Sequence, residues 1–171
     1  MEFSNFEIAI AFAITLFGVA VMCSGFMTMY RSVSSKTWNM VDGVVTVSRR
    51  VLSGWNGEMI RWLSWIPFLK YEYTIAGRKY SGSMLYFGWR MHEKIKMYSE
   101  IATDDSVHAG KKYSDEIVRR FPEGSRIKAY VSPQEPSVSV LEPGLHWEAV
   151  FIALIGTIFS VIGLYGLFTF Y

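Results

Sequence analysis

Three histidines are the side chains of this 171-residue chain best suited to metal binding or general-base catalysis: His92, His108 and His146. Their spacing matches no pattern of metal ligands. Asp104 would lie one helical turn before His108, but a solvated polar loop explains this pair more simply. His146 precedes a tryptophan and a long apolar stretch, where it fits an anchor at a membrane surface.

Carboxylates and basic pairs are the other groups that could do chemistry. Asp115 and Glu116 are adjacent at the start of a predicted helix, where the helix dipole stabilises them. No serine has a G-x-S-x-G setting, and no glycine-rich phosphate loop is present. The sequence therefore predicts no catalytic, cofactor-binding or metal-ligating residue and no cofactor. Three basic pairs could contact anionic lipid: Arg49-Arg50, Lys111-Lys112 and Arg119-Arg120. We do not expect the protein to bind nucleic acid.

Two apolar stretches lie at the ends of the chain, at residues 8–29 and 150–171, and each has 22 residues without a charge. As helices they would be about 33 Å long, enough for a hydrocarbon core of about 30 Å. Their interiors hold no Asp, Glu, Lys, Arg or His, which argues against a transporter or a pump. The chain thus divides into a tail at 1–7, a transmembrane helix at 8–29, a soluble β-rich domain at 30–146 and a second transmembrane helix at 147–171.

All 17 Lys and Arg residues lie between the two spans. Basic residues near the ends of a span are retained in the cytoplasm. We therefore expect a protein of the inner membrane whose domain 30–146 faces the cytoplasm and whose two termini lie outside. The only cysteine, Cys23, lies in the first span and excludes an intramolecular disulfide.

Small residues recur at helical spacing in both spans. Such spacing lets helices pack closely, either between the two spans or between two copies of the chain. A homo-oligomer would use Gly156, Ser160 and Gly163. The small residues are Ala9 and Ala13, Ala20 and Ser24, and Gly156, Ser160, Gly163 and Gly166.

Alternating patterns predict short strands between the spans, at 41–47, 70–75, 79–83, 126–131 and 137–141. Ala76-Gly77 supplies the turn of a hairpin, and a short helix begins at Ser114. The fold class is therefore an α+β membrane protein. Two transmembrane helices flank a small, mainly antiparallel β-domain with one or two short helices.

A Trp-rich insertion at 52–69 fits this scheme poorly. Trp55, Met59, Trp62 and Ile66 recur at i, i+4, i+7 and i+11, which predicts an amphipathic helix ended by Pro67. Its apolar face could cap the β-domain core, lie on the bilayer or bind a partner. The segment 84–109 is interpreted as a polar excursion that is helical in part.

Several motifs are similar to one known family. They are Trp38, Gly43 and Ser48, the hairpin YEYTIAGRKY at 71–80, the run FPEGSRIKAYVSPQEP at 121–136, and Ser139, Leu141, Glu142, Pro143 and Gly144. With the span layout, the chain resembles the bacterial two-span membrane family labelled domain of unknown function 3592. That resemblance implies a small β-domain between two spans. It implies no activity, so no functional residue is carried over.

Three functions remain open. The first is a non-enzymatic, membrane-anchored β-domain that binds a protein partner as well as membrane lipid, because fold signals are clear and chemical constellations are missing. The second is an immunity-type or accessory protein for a co-encoded membrane-active partner. The third is an enzyme with an unrecognised site at the membrane surface.

Overall fold

The computed structural model describes residues 5–56, 61–87 and 109–170, and the chain forms two compact units. One unit joins Met1–Lys36 with Pro143–Tyr171, and the other is Thr37–Glu142. The predicted fold class is confirmed, because an apolar helix near each end flanks an antiparallel sheet that carries a short helix.

Helices α1 (Asn5–Ser34) and α3 (Trp147–Phe170) form the first unit. Both are long and apolar enough to cross a membrane, by length and composition. Neither has a polar face, and large apolar side chains cover the outer surface of the pair: Phe12, Leu16, Phe17, Phe151, Ile158 and Phe168. A surface of this kind is typical of helices that contact lipid.

The two helices pack directly on each other through their smallest residues. A Cβ added to any of four glycines would overlap the backbone of the opposite helix. The spacing along each helix is three, four and three residues, so the contact follows a seven-residue repeat. The antiparallel register is Gly25 against Ala153, Met22 against Gly156, Gly18 against Ser160, and Thr15 against Gly163.

The sequence identified only the α3 half of this contact. Gly156, Ser160 and Gly163 face α1 of the same chain. On α1, by contrast, the small residues noted in the sequence lie exposed on the outer surface, so they do not form the contact between the two spans, and their contact with a second copy stays a prediction: Ala9, Ala13, Ala20 and Ser24. The actual contact uses two glycines seven residues apart, where a search for four-residue spacing does not find them. The homo-oligomer stays a prediction.

A compact junction joins the two helices at one end. The Gly144 amide donates to the Ser32 carbonyl at 3.1 Å and to the Ser35 hydroxyl at 3.1 Å, and Ser35 in turn donates to Ser32 O at 2.7 Å. Both serines are fully buried. Gly144 has φ +117°, a conformation that favours glycine. Pro143-Gly144 interrupts the chain before α3, as the sequence indicates, and hydrogen bonds hold this segment to the end of α1.

The second unit contains a five-stranded sheet in the order β3-β2-β1-β4-β5. All pairs between the described strands are antiparallel. A 3-10 turn, Ser35–Thr37, leads into the sheet, and helix α2 (Lys111–Arg120) packs on it. The strands are β1 (Asn39–Asn56), β2 (Arg61–Ile75), β3 (Arg78–Gly82), β4 (Arg126–Val131) and β5 (Ser139–Val140).

The helix predicted for residues 52–69 is wrong, because this segment lies mainly in two paired strands. Residues 52–56 end β1, residues 61–69 begin β2, and the register runs from Leu52 opposite Trp65 to Asn56 opposite Arg61. Apolar residues occur on both faces of the ribbon, so no alternation of period two marks the strands. The pairing partner supplies the strand geometry, and tertiary context overrides the local helical spacing. Met59 lies outside the described residues.

Pro67 stands within β2 rather than at a helix end. Two residues earlier, the Trp65 amide donates to Ala109 O at 2.9 Å, away from β1. Because amides alternate in direction along a strand, position 67 also points away from β1, and the β1–β2 ladder loses no hydrogen bond to proline.

A β-bulge at Thr46 changes which side chains of β1 face the core. The register shifts from Val45 opposite Tyr71 to Val47 opposite Lys70. One extra residue reverses the alternation, so Val45 faces the main core but Val47 and Val51 face the other side of the ribbon. Val51 there forms a second, smaller buried cluster with Phe68.

Candidate functional site

The two faces of the sheet differ in cover. One face packs against α2 and the segment after β3, and it holds the main core around Tyr71, Tyr73, Ile117 and Ala129. On the opposite face, away from the buried cluster of Val51 and Phe68, one part has exposed side chains, and we call this part the open face: Met40, Asp42, Val44, Glu72, Thr74, Lys79, Arg126 and Lys128.

Strand register arranges the open face in rows that cross the sheet. In the first row, Val44 on β1 lies between Glu72 on β2 and Arg126 on β4. An acidic and a basic side chain therefore flank a central valine that is 43% exposed. Neighbouring strands are about 4.8 Å apart, so each charge lies one strand from Val44. In the next row, Asp42 is opposite Lys128 on β4.

The charges of the open face are only partly paired. Lys128 Nζ contacts Asp42 Oδ1 at 2.6 Å, and both side chains are largely exposed. Within the described part of the chain, Glu72, Lys79 and Arg126 make no ion pair with one another or with any other residue. Among the described residues, these three charged side chains around the apolar centre thus have no ion-pair partner.

These side chains border an open groove of about 430 Å³. Gly43 and Val44 line it along β1, Glu72 and Thr74 along β2, and Lys79 along β3. The groove lies on a sheet surface, and its described lining residues include no histidine and no cysteine. Its described lining offers charged side chains and shape that suit recognition of another surface.

Buried tyrosines dominate the opposite, covered face. The Tyr71 hydroxyl lies 3.0 Å from Met84 O and 3.0 Å from both Ser139 O and Ser139 Oγ, and the side chain is fully buried. The Tyr73 hydroxyl donates to Pro136 O at 2.8 Å. Burial raises the pKa of both phenols, so they stay protonated at neutral pH. A phenol that is protonated and shut off from solvent serves the fold as a hydrogen-bond donor.

Helix α2 begins earlier than predicted, so Asp115 and Glu116 do not lie in its first turn. Gly110 precedes the helix at φ +72°, and Lys111 is its first residue. Asp115 instead contacts Arg50 on β1, with Arg50 Nη1 at 2.8 Å from Asp115 Oδ1. The Arg50 guanidinium also lies 5.2 Å above the Trp65 ring, which ties α2 to the ribbon.

The histidines considered from the sequence do not come together among the described residues. His92 and His108 lie outside them. His146 is half-buried just before α3 and has an interaction partner. No group of three or more His, Cys, Asp or Glu residues in the described ranges could hold a metal ion.

The open face was not identified from the sequence. The alternation in KYEYTI and RIKAYV shows that Glu72, Arg126 and Lys128 point away from the core. What the sequence lacks is the strand order, which places Glu72 and Arg126 on either side of Val44. That order depends on pairings between distant residues, since Val44 pairs with Glu72, 28 positions away, and with Arg126, 82 positions away.

A family model described as Domain of unknown function (DUF3592) matches residues 41–146, more than half of the chain. The matched region includes the five-stranded sheet almost entirely, helix α2 and Pro143-Gly144 before α3. A search of the curated proteins finds no match. The chain belongs to the family of domain of unknown function DUF3592.

Proposed function

We propose that this protein is an integral membrane protein in which α1 and α3 anchor a non-enzymatic β-domain, and that the domain binds a protein partner through its open face. The observation that carries the proposal is the helical pair. Its inner contact is built from small residues, and its outer surface exposes Phe12, Leu16 and Phe151. Lipid covers such a surface at little cost, whereas water does not.

Charge and aromatic residues support one orientation. Arg31 and Lys36 are exposed at the end of α1 that leads into the β-domain, and Glu7 lies in the first turn at the other end. The helix register puts Arg31 level with Trp147, which is 69% exposed at the start of α3. Basic residues beside an interfacial tryptophan favour the cytoplasmic side of the inner membrane, with both termini outside.

Partner binding is supported by the open face. Met40 and Val44 are exposed on its central strand, 62% and 43% respectively. Glu72 and Arg126, which form no ion pair within the described ranges, flank Val44. Apolar groups bordered by charged groups are typical of surfaces that bind proteins. The polar groups of the core stabilise the fold, since Tyr71, Tyr73 and Ser139 hydrogen-bond to one another or to the backbone.

Membrane anchoring is tested by fractionating cells that express the full chain. We expect the protein in the membrane pellet, resistant to alkaline carbonate and released by detergent. Recovery in the carbonate supernatant would contradict the anchor.

Partner binding is tested with a photo-crosslinking amino acid at Val44 in native membranes. A matched control places it at Tyr113, which is exposed on α2, away from the open face. We expect a discrete crosslinked band from position 44 and none from position 113. Equal labelling at both positions would remove the open face as a binding surface.

A further inference from the structure

We propose that the partner bound by the open face is a second copy of this chain, in a two-fold dimer whose axis runs along strand β1 past Val44. This inference rests on the proposed function and names the partner of the same face. Its basis is the symmetry of charge around Val44. Glu72 lies one strand away on one side, and Arg126 lies one strand away on the other.

A two-fold contact is self-complementary, because each residue pair occurs twice. If two open faces stack on an axis along β1, Val44 of one copy meets Val44 of the other. The same rotation places each Glu72 opposite Arg126 of the second copy. One apolar contact and two ion pairs then form from three residues of a single row.

The unpaired state of these charges agrees with this arrangement. Neither Glu72 nor Arg126 has an ion-pair partner among the described residues, although both are long, exposed side chains. In the next row, the axis brings the two Asp42 carboxylates near each other. Each keeps Lys128 of its own chain as a counter-ion at 2.6 Å. Met40, the most exposed apolar residue of the face, lies further along the same axis strand.

The size of the open face sets the strength of this contact. Four strands at about 4.8 Å spacing make a patch roughly 15–20 Å across. A patch of this width buries less surface than the roughly 1,200–2,000 Å² that is buried in a stable dimer, so we expect a weak dimer. Two copies held in one membrane meet at raised effective concentration, and the test therefore uses native membranes.

Cysteine crosslinking distinguishes the axis from the rest of the face. In a Cys23→Ser background, Val44→Cys lies on the axis and should form a disulfide between copies under mild oxidant. The matched control is Lys79→Cys on β3, two strands from β1. Its two copies would be about 20 Å apart, too far for the bond, which needs Cα atoms within about 7 Å. Equal crosslinking at both positions, or none at position 44, would overturn the dimer.

Charge reversal then tests the predicted pairing. Glu72→Arg or Arg126→Glu alone should lower Val44→Cys crosslinking about tenfold, because like charges then meet across the axis. The double variant Glu72→Arg/Arg126→Glu should restore crosslinking to within about twofold of the parent. The amount of monomer in the membrane checks that each variant folds.

Failure of the rescue overturns the proposed pairing even if every variant folds. A photo-crosslinker at Val44 separates this failure from failure of the proposed function. If it captures a different membrane protein and never the chain itself, the homodimer is overturned while the open face remains a binding surface.

Discussion

The hydroxyl groups of Tyr71 and Ser139 lie 3.0 Å apart in the core of the β-domain, 68 residues apart in sequence. The same phenol lies 3.0 Å from Met84 O. One side chain of strand β2 therefore connects the segment after β3 with strand β5. Gly82 makes this possible, because a Cβ there would overlap the Tyr71 ring.

Tyr71→Phe should lower the free energy of unfolding by about 1–3 kcal/mol, because the buried groups of Ser139 and Met84 lose their partner. Tyr80→Phe is the matched control, since Tyr80 stacks on Tyr73 at 5.9 Å and no hydrogen bond from its hydroxyl is found in the described residues. Denaturant unfolding of the full chain in detergent compares the two. An equal loss in both variants would contradict the role of the Tyr71 hydroxyl.

The Tyr71 phenol also predicts a pH dependence. Its pKa is raised above the ordinary 10.0, chiefly by burial, so the folded state holds the proton more tightly than the unfolded state. The stability that this group contributes is complete below about pH 10 and is lost as pH rises toward the folded pKa. Between pH 9 and pH 11 the free energy of unfolding of the parent should therefore fall by about 1 kcal/mol more than that of Tyr71→Phe. Parallel pH profiles for the two proteins would contradict this.

The helical pair should be sensitive to added volume at one position of α1 and insensitive two residues away. Gly18→Leu forces a side chain into the backbone of Ser160 and should cost about 1–3 kcal/mol or more. Ala20→Leu adds an apolar group on the exposed outer surface and should be nearly neutral in detergent. Thermal unfolding in one detergent measures both, and equal melting temperatures would contradict the packing.

Two glycines with similar backbone angles should differ in their tolerance of alanine. Gly110 and Gly124 have φ +72° and +79°, but a Cβ at Gly110 would overlap the Trp65 carbonyl, whereas Gly124 has open space. We expect about 1–2 kcal/mol for Gly124→Ala, from backbone strain alone. Gly110→Ala should cost at least about 2 kcal/mol more, because α2 must move from β2. Similar losses measured by denaturant unfolding would contradict the close approach.

The turn between β2 and β3 offers a stabilising change. Both Ala76 and Gly77 have positive φ, +47° and +80°, as a type I′ turn requires. Alanine is strained there and asparagine is not, so Ala76→Asn should raise stability by about 0.5–1 kcal/mol. Gly77→Val should instead lower it by about 1–3 kcal/mol. A destabilised Ala76→Asn variant would contradict the assigned turn geometry.

The elements that the sequence predicted well have local signals. Ala76-Gly77 marks a turn between two alternating runs, and RIKAYV alternates over its whole length as strand β4. Gly77 has a positive φ, as its place in the predicted turn requires. Each of these features depends on residues within about ten positions, where backbone preference decides the conformation.

The features that the sequence missed depend on distant partners. Trp55, Trp62 and Ile66 have helical spacing, yet strand pairing decides their conformation. The bulge at Thr46 reverses which side chains of β1 face the core, and no residue type at that position predicts a bulge. The charge pattern of the open face requires β2 and β4 to flank β1, which only the assembled sheet reveals.

Labelling of single cysteines by a membrane-impermeant thiol reagent tests the membrane-anchored domain most directly. In a Cys23→Ser background, one cysteine replaces Ser137, which is exposed in the β-domain, and another replaces Ser4 near the N-terminus. In intact cells we predict labelling of Ser4→Cys and protection of Ser137→Cys, which becomes labelled after the membrane is permeabilised. Protection of both positions in intact cells would contradict membrane anchoring, and labelling of Ser137→Cys with protection of Ser4→Cys would contradict the orientation.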